Sequence, residues 1–152
     1  MGTSLQIVND RWIRVYDSIT ELLARMMVEK ANRNQQQFPL LHSFLVKLDS
    51  EILYGTPGCI NLNLQAIADD ELMVAEFGEL LGLIARDVES YGTVIDGESA
   101  NERWATRVVS FGEVRTQPLL SVIDAIRALV ASLPISTDDD DSAWWTFGIE
   151  SR

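Results

Sequence analysis

Hydrophobic positions recur along this chain at two competing periods, and the choice between them decides the fold. From Asp69 to Gly92, the residues Met73, Phe77, Leu80, Leu81, Ile84, Val88 and Tyr91 return every three or four positions, which places them on one face of an α-helix. Leu72, Val74, Leu83 and Ala85 widen that stripe, so the helix is expected to have neighbours on two sides. Asp69 or Asp70 can accept the free N–H groups at its start, and Gly92 can take the left-handed conformation that closes it.

Nearer the N-terminus the pattern is ambiguous. Leu5, Val8, Trp12, Val15, Ile19, Leu22 and Met26 keep a 3-4-3-4 rhythm, which predicts one long helix from about Ser4 to Asn32. The same stretch permits a hairpin of Leu5–Val8 and Arg11–Tyr16 about Asn9-Asp10, followed by a helix from the capping box Ser18-Ile19-Thr20-Glu21. Seven positions in register favour the long helix over a turn without its usual glycine. After a polar loop at Asn32 to Gln37, Leu41, Phe44, Leu45, Leu48 and Ile52 predict a second helix, antiparallel to the first and ended by Gly55 and Thr56-Pro57-Gly58.

Ile60, Leu62 and Leu64 alternate with Asn61, Asn63 and Gln65, a strand-like period that lasts only six residues and equally suits a helical turn leading into Ile67. Ser99-Ala100-Asn101-Glu102 reads as a capping box for a helix through Trp104, Val108 and Phe111 that Gly112 closes. Thr116 and Pro118 open the last helix, with the stripe Leu119, Ile123, Ile126, Leu129, Val130 and Leu133 and a stop at Pro134. The expected fold is therefore mainly α, a single-domain bundle of about five helices over residues 1–134, with at most a minor β element near 60–64. Residues 135–152 form a distinct segment. Four adjacent aspartates, Asp138–Asp141, predict a mobile acidic spacer, and Trp144, Trp145 and Phe147 predict a cluster that docks on this domain or on a second copy.

Composition narrows the function classes. The chain has 152 residues, of which 47% are hydrophobic, and 23 acids against 12 Lys and Arg give a net charge of −11. One cysteine, Cys59, excludes an internal disulfide and a four-cysteine zinc site, and a reducing cytoplasm is the expected setting. Apolar runs are far shorter than the roughly 20 residues that cross a bilayer, so membrane attachment is not expected. So acidic a chain lacks the Lys and Arg surplus that supplies most nucleic-acid affinity, which disfavours direct nucleic-acid binding and favours a basic partner.

Candidate chemistry is sparse. Glu76 and Glu79, one turn apart, fit a solvated helix face better than a metal or acid pair. A di-iron bundle needs two Glu-x-x-His motifs, and the chain has one histidine, His42. Asp87 to Glu98 has the outline of a calcium loop, with Gly92 at position 6 and Glu98 at 12, but Tyr91 stands where an oxygen ligand is required. His42 and Cys59 are a conceivable nucleophilic pair without a recognisable nucleophile context. Gly78 and Gly82 sit within a helix, where they allow close approach of a neighbour. No cofactor or catalytic residue is assigned.

Charge is the more specific signal. Between Asp69 and Glu89 lie seven acids and a single base, Arg86, so more than half of the net charge sits in one element. This predicts a partner-binding surface of Glu71, Glu76, Glu79, Asp87 and Glu89, extended by Asp96 and Glu98, that captures a basic protein. In physical type, a small acidic chain without catalytic residues is similar to bacterial toxin-immunity proteins, which implies a toxin domain such as a nuclease as the partner. The alternatives are a helical enzyme subunit or small-molecule-binding protein with a site between helices, and a scaffold or homodimer that self-associates through the Leu5–Met26 seam.

Overall fold

Asn9 holds φ at +56°, a left-handed conformation that asparagine tolerates better than most residues, and it turns the chain back on itself. The computed structural model describes residues 2–34, 36–56, 60–104, 111–136 and 145–149. Strands β1 (Thr3–Val8) and β2 (Arg11–Tyr16) flank Asn9-Asp10 and pair antiparallel, from Thr3 opposite Tyr16 to Val8 opposite Arg11. The long helix expected from Ser4 is therefore replaced by the hairpin, and helix α1 begins only at Asp17 and runs to Arg33. The physical reason lies in the residues outside the helical rhythm. Ile7 and Ile13 are β-branched, and Ile13 is fully buried. A repeat of seven cannot separate the two forms here, since Val8 and Val15 face the core while Leu5 lies on the other side. The self-association seam goes with it, because Leu22 and Met26 are buried in the core of their own chain.

A single 3-10 turn at Pro39–Leu41 leads into α2 (His42–Tyr54), which packs on α1 and ends at Gly55. Ile60, Leu62 and Leu64 are all buried between exposed Asn61 and Asn63, so the alternation is real. It forms no strand, because a side chain takes the place of a strand partner. Gln6, only 1% exposed, donates from Nε2 to the Ile60 carbonyl at 3.1 Å and accepts the Leu62 N–H at Oε1 at 3.0 Å. Asn63, with φ +52°, then turns the chain into the short helix α3 (Leu64–Ala68). The minor β element expected near 60–64 is thus placed elsewhere.

Helix α4 (Glu71–Ser90) is the central element and packs against α1, α3 and α6. Asp70 caps it by accepting the N–H groups of Leu72 and Met73, at 2.9 and 3.3 Å, and Gly92 follows it with φ +84°. Phe77, Leu80, Leu81, Ile84 and Val88 are buried, as their spacing predicts. Strand β3 (Val94–Ile95) pairs with β4 (Val114–Arg115) around α5 (Gly97–Trp104). The cap of α5 is Asp96 rather than Ser99: its carboxylate accepts both the backbone N–H and the hydroxyl of Ser99, at 2.8 and 2.9 Å. Val108 lies outside the described residues. Helix α6 (Thr116–Val130) buries Leu119, Ile123, Ile126, Leu129 and Val130, whereas Leu133 lies past its end and is exposed.

The last strand, β5 (Trp145–Ile149), pairs antiparallel with β2, giving the sheet order β1-β2-β5. Residues 145–149 are therefore docked on their own chain, with Trp145 partly buried against the core. Asp138–Asp141 and Trp144 lie outside the described residues. Among those described, six α-helices and five short strands make a mainly α fold with a minor sheet. Among the described residues no helix is long and apolar enough to cross a membrane.

Because Leu81 is fully buried on the central helix, Leu81→Ala is expected to cost about 2–5 kcal/mol in chemical denaturation. Asp70→Ala, which removes only the cap, is expected to cost about 1 kcal/mol.

Candidate functional site

The acids of α4 divide by their angle around the helix. Glu71, Glu79 and Glu89 project to solvent, and among the described residues none of the three has an ion-pair partner. Glu71 and Glu89 are 18 positions apart, so at about 1.5 Å per residue the exposed ridge is roughly 27 Å long. Leu72, 69% exposed, and Ala75, also exposed, share this ridge with Arg86.

Glu76 and Asp87 lie at the flanks of the buried face and are engaged within the molecule. Glu76 Oε2 accepts the Leu41 N–H at 3.0 Å, so it caps the start of α2 from outside that helix. Asp87 Oδ2 meets Lys30 Nζ at 3.2 Å and Arg103 Nη2 at 2.7 Å. Arg103 in turn grips Glu29, with Nε 2.8 Å from Oε2 and Nη2 2.6 Å from Oε1, and donates from Nη1 to the Tyr91 hydroxyl at 2.9 Å. One guanidinium thus joins α1, α4 and α5, using its planar fork for two carboxylates and a phenol. Its Cζ also lies 4.6 Å from the centre of the Trp104 ring.

Burial opposes the charge on Asp87, but hydrogen bonds from Arg103 and Lys30 and the attraction of both cations outweigh it and hold the carboxyl below its ordinary value. Burial also opposes the charge on Arg103, yet its bonds to Glu29, Asp87 and Tyr91 raise its pKa above the usual guanidinium value. Asp87, the first position of the calcium-loop outline, is thus engaged by two cations, and the segment from Asp87 to Glu98 runs from the last turn of α4 through β3 into α5. Asp96 is exposed, and the backbone and side-chain hydrogen bonds from Ser99 lower its pKa. Glu98 is exposed beside it without an ion-pair partner among the described residues. The acids expected to bind a partner therefore divide into an outward set of Glu71, Glu79, Glu89, Asp96 and Glu98, with Glu76 and Asp87 turned to the frame.

His42 is exposed on α2 and lines a cavity of about 470 Å³ with Phe38, Leu45 and Asp49. Cys59, its conceivable partner, lies outside the described residues. Among the described residues no group of three His, Cys, Asp or Glu side chains is placed to hold a metal ion. Gly82 does admit a close neighbour, although the neighbour is a side chain: a Cβ there would stand 3.1 Å from Arg127 Nη2, and that same atom donates to the Gly78 carbonyl. The Arg103 network was not legible in the sequence, since Glu29 and Arg103 are 74 positions apart and only tertiary packing brings them together.

Arg103→Met leaves Glu29 and Asp87 facing each other in a partly buried site, and is expected to cost about 2–3 kcal/mol by chemical denaturation. Asp87 adds a pH dependence. Because its folded pKa lies below the ordinary 3.8, its stabilising contribution is complete above that value and is lost as the pH falls through it towards the folded pKa. Denaturation of wild type and Asp87→Asn between about pH 6 and pH 3 should therefore show their difference shrinking with acid.

Comparison with protein-family models, with curated proteins and with solved structures finds no match for this chain, so its function is read from its own surface.

Proposed function

We propose that the protein acts by binding, without turnover, and that its partner is a basic protein met by the outer face of α4. The observation that carries this reading is the ridge on which Glu71, Glu79 and Glu89 are exposed and free of ion pairs among the described residues, beside exposed Leu72. Exposed apolar surface flanked by like charge is the arrangement of an interface core with a polar rim. The carboxylates set a negative potential that steers a cationic partner and fixes its register, while Leu72 and Ala75 supply contact area. Asp96 and Glu98 at the start of α5 extend the same sign of charge. In its most concrete form the partner is a toxin domain, such as a nuclease, whose cationic cleft this acidic surface masks, which makes the protein an inhibitor of the immunity type.

Glu76 and Asp87 belong to the frame, so the test spares them. In a pull-down with the product of the neighbouring gene, followed by association rates at low and high salt, Glu79→Lys with Glu89→Lys is expected to slow association at least about tenfold at low salt and to flatten its salt dependence. Thermal stability should stay nearly unchanged, because exposed unpaired carboxylates contribute little to folding. Equal rates for both proteins remove this ridge from the interface, and a metabolic reaction abolished by His42→Ala would overturn the binding reading.

A further inference from the structure

Strand β1 is an edge of the sheet, which runs β1-β2-β5. Val8 and Arg11 close its two-residue turn, so in the alternating antiparallel ladder Ser4, Gln6 and Val8 aim their N–H and C=O groups at β2, while those of Thr3, Leu5 and Ile7 point away from the sheet. Among the described residues no backbone hydrogen bond reaches Leu5 or Ile7 from that side. The segment from Ile60 to Leu62 is held by the buried Gln6 side chain and bonds no main-chain group of Leu5 or Ile7. The outward three residues are exposed, Leu5 at 41% and Ile7 at 39%. Arg14 of β2 shares their face of the sheet, with Nη1 3.5 Å from Thr3 Oγ1.

A row of unpaired main-chain donors and acceptors is a template for another strand, and native edges are usually blunted by Lys, Pro, a bulge or short length. Strand β1 spans six residues, TSLQIV, and has none of these and no charge. In a chain of net charge −11 that decides the occupant. A basic partner finds no carboxylate on this strand, whereas a second, equally acidic copy can pair along it without setting carboxylate against carboxylate. The opposite edge, β5, is flanked in the sequence by Asp138–Asp141 and Glu150, so like charge opposes a copy there. Self-pairing also has a fitting register. With a two-fold axis at Leu5, Leu5 stands opposite the second copy's Leu5 and Thr3 opposite its Ile7, so every outward residue meets an outward residue and roughly six main-chain hydrogen bonds close. An axis at Gln6 would set Thr3 opposite Asn9 of the turn and lose the end pairs. The two Arg14 side chains then stand one strand further out on either side, about 14 Å apart and beyond the screening length.

We propose that the protein pairs with a second copy of itself through β1, antiparallel about Leu5, to form one continuous sheet with three strands from each copy. Main-chain hydrogen bonds hold the pair, and Leu5 and Ile7 lose exposure against their counterparts on the outer face. The assignment does not rest on the acidic ridge of α4, because it uses other residues and no charge.

Sedimentation velocity of the full-length protein over a range of concentrations reads the monomer–dimer equilibrium, and amide hydrogen exchange reads the strand. The expected result is a reversible dimer in which the N–H groups of Leu5 and Ile7 exchange more slowly as protein concentration rises. Added salt should leave the dimer intact or tighten it, because it screens repulsion between two acidic copies. Leu5→Lys, which sets like charges opposite each other at the axis, should weaken dimerisation at least about tenfold. Leu5→Pro should do the same by removing a central donor that the β1–β2 ladder does not use. Val46→Lys on the exposed face of α2 and Ile149→Lys on β5 should leave the dimer unchanged. A monomer at every concentration up to millimolar, an oligomer larger than a dimer, a dimer that salt dissociates or that Val46→Lys or Ile149→Lys abolishes, exchange at Leu5 and Ile7 that ignores concentration, or a dimer that survives in folded Leu5→Lys overturns the proposal. Should both Leu5 variants fail to fold, the exchange measurement on the wild type decides it.

Discussion

Burial of the α4 stripe is the interaction on which the other elements depend. Phe77, Leu80, Leu81, Ile84 and Val88 are withdrawn from water together, and each such side chain contributes about 1.5–3 kcal/mol of transfer free energy. No single neighbour can cover a stripe widened by Met73, Val74 and Leu83, so α1, α3 and α6 all pack on this helix. The helix is thereby inside the fold along one side and fully hydrated along the other. That division separates its acids into two roles: carboxylates at the flanks of the buried face are within reach of other elements, and those opposite it have only solvent.

The flanks show how the fold tolerates a net charge of −11. Self-repulsion works against a compact acidic chain. Here two of the few cations, Lys30 and Arg103, are placed where the carboxylates of Glu29 and Asp87 come closest. Partial burial strengthens those contacts relative to surface pairs, and the fork of Arg103 fixes the mutual orientation of three helices as well as the indole of Trp104. Cations used in this way are not available to neutralise the outer ridge, which therefore stays negative.

Several junctions are closed by side chains that bind backbone. Gln6 clasps Ile60 and Leu62, and Arg11 donates to the carbonyls of Ala128, Leu129 and Leu133 at the end of α6, where free carbonyls and the negative dipole end await a cation. Gln65 accepts the Asn9 N–H at 2.7 Å and donates to the Asn9 side chain, so it braces the hairpin turn against α3. These contacts span from 54 to 122 positions of sequence and tie the sheet to the helices without regular pairing. They are also why polar residues such as Gln6 can stand in the interior: each brings its own partners, and a buried amide with both ends bonded carries little penalty.

The sequence by itself determined what is set by local rules. Helix α4 with its Asp70 cap, its buried face and Gly92 at its end follows from 3.6-residue periodicity and backbone chemistry within a few positions, and the same holds for α2 ending at Gly55 and α6 opening at Thr116. The concentration of acids on α4 is equally a property of the sequence. Tertiary structure decided the rest, because the deciding energies are non-local. Residues 3–16 fit either period, and pairing of β2 with β5, about 135 positions away, settles them as strands. Ile60 to Leu64 alternates as a strand should, and only the position of Gln6 determines that a side chain serves in place of a neighbouring strand. Which acids face outward follows from what packs beside them: Glu76 and Glu79 look alike in the sequence, yet one meets the Leu41 N–H and the other meets water.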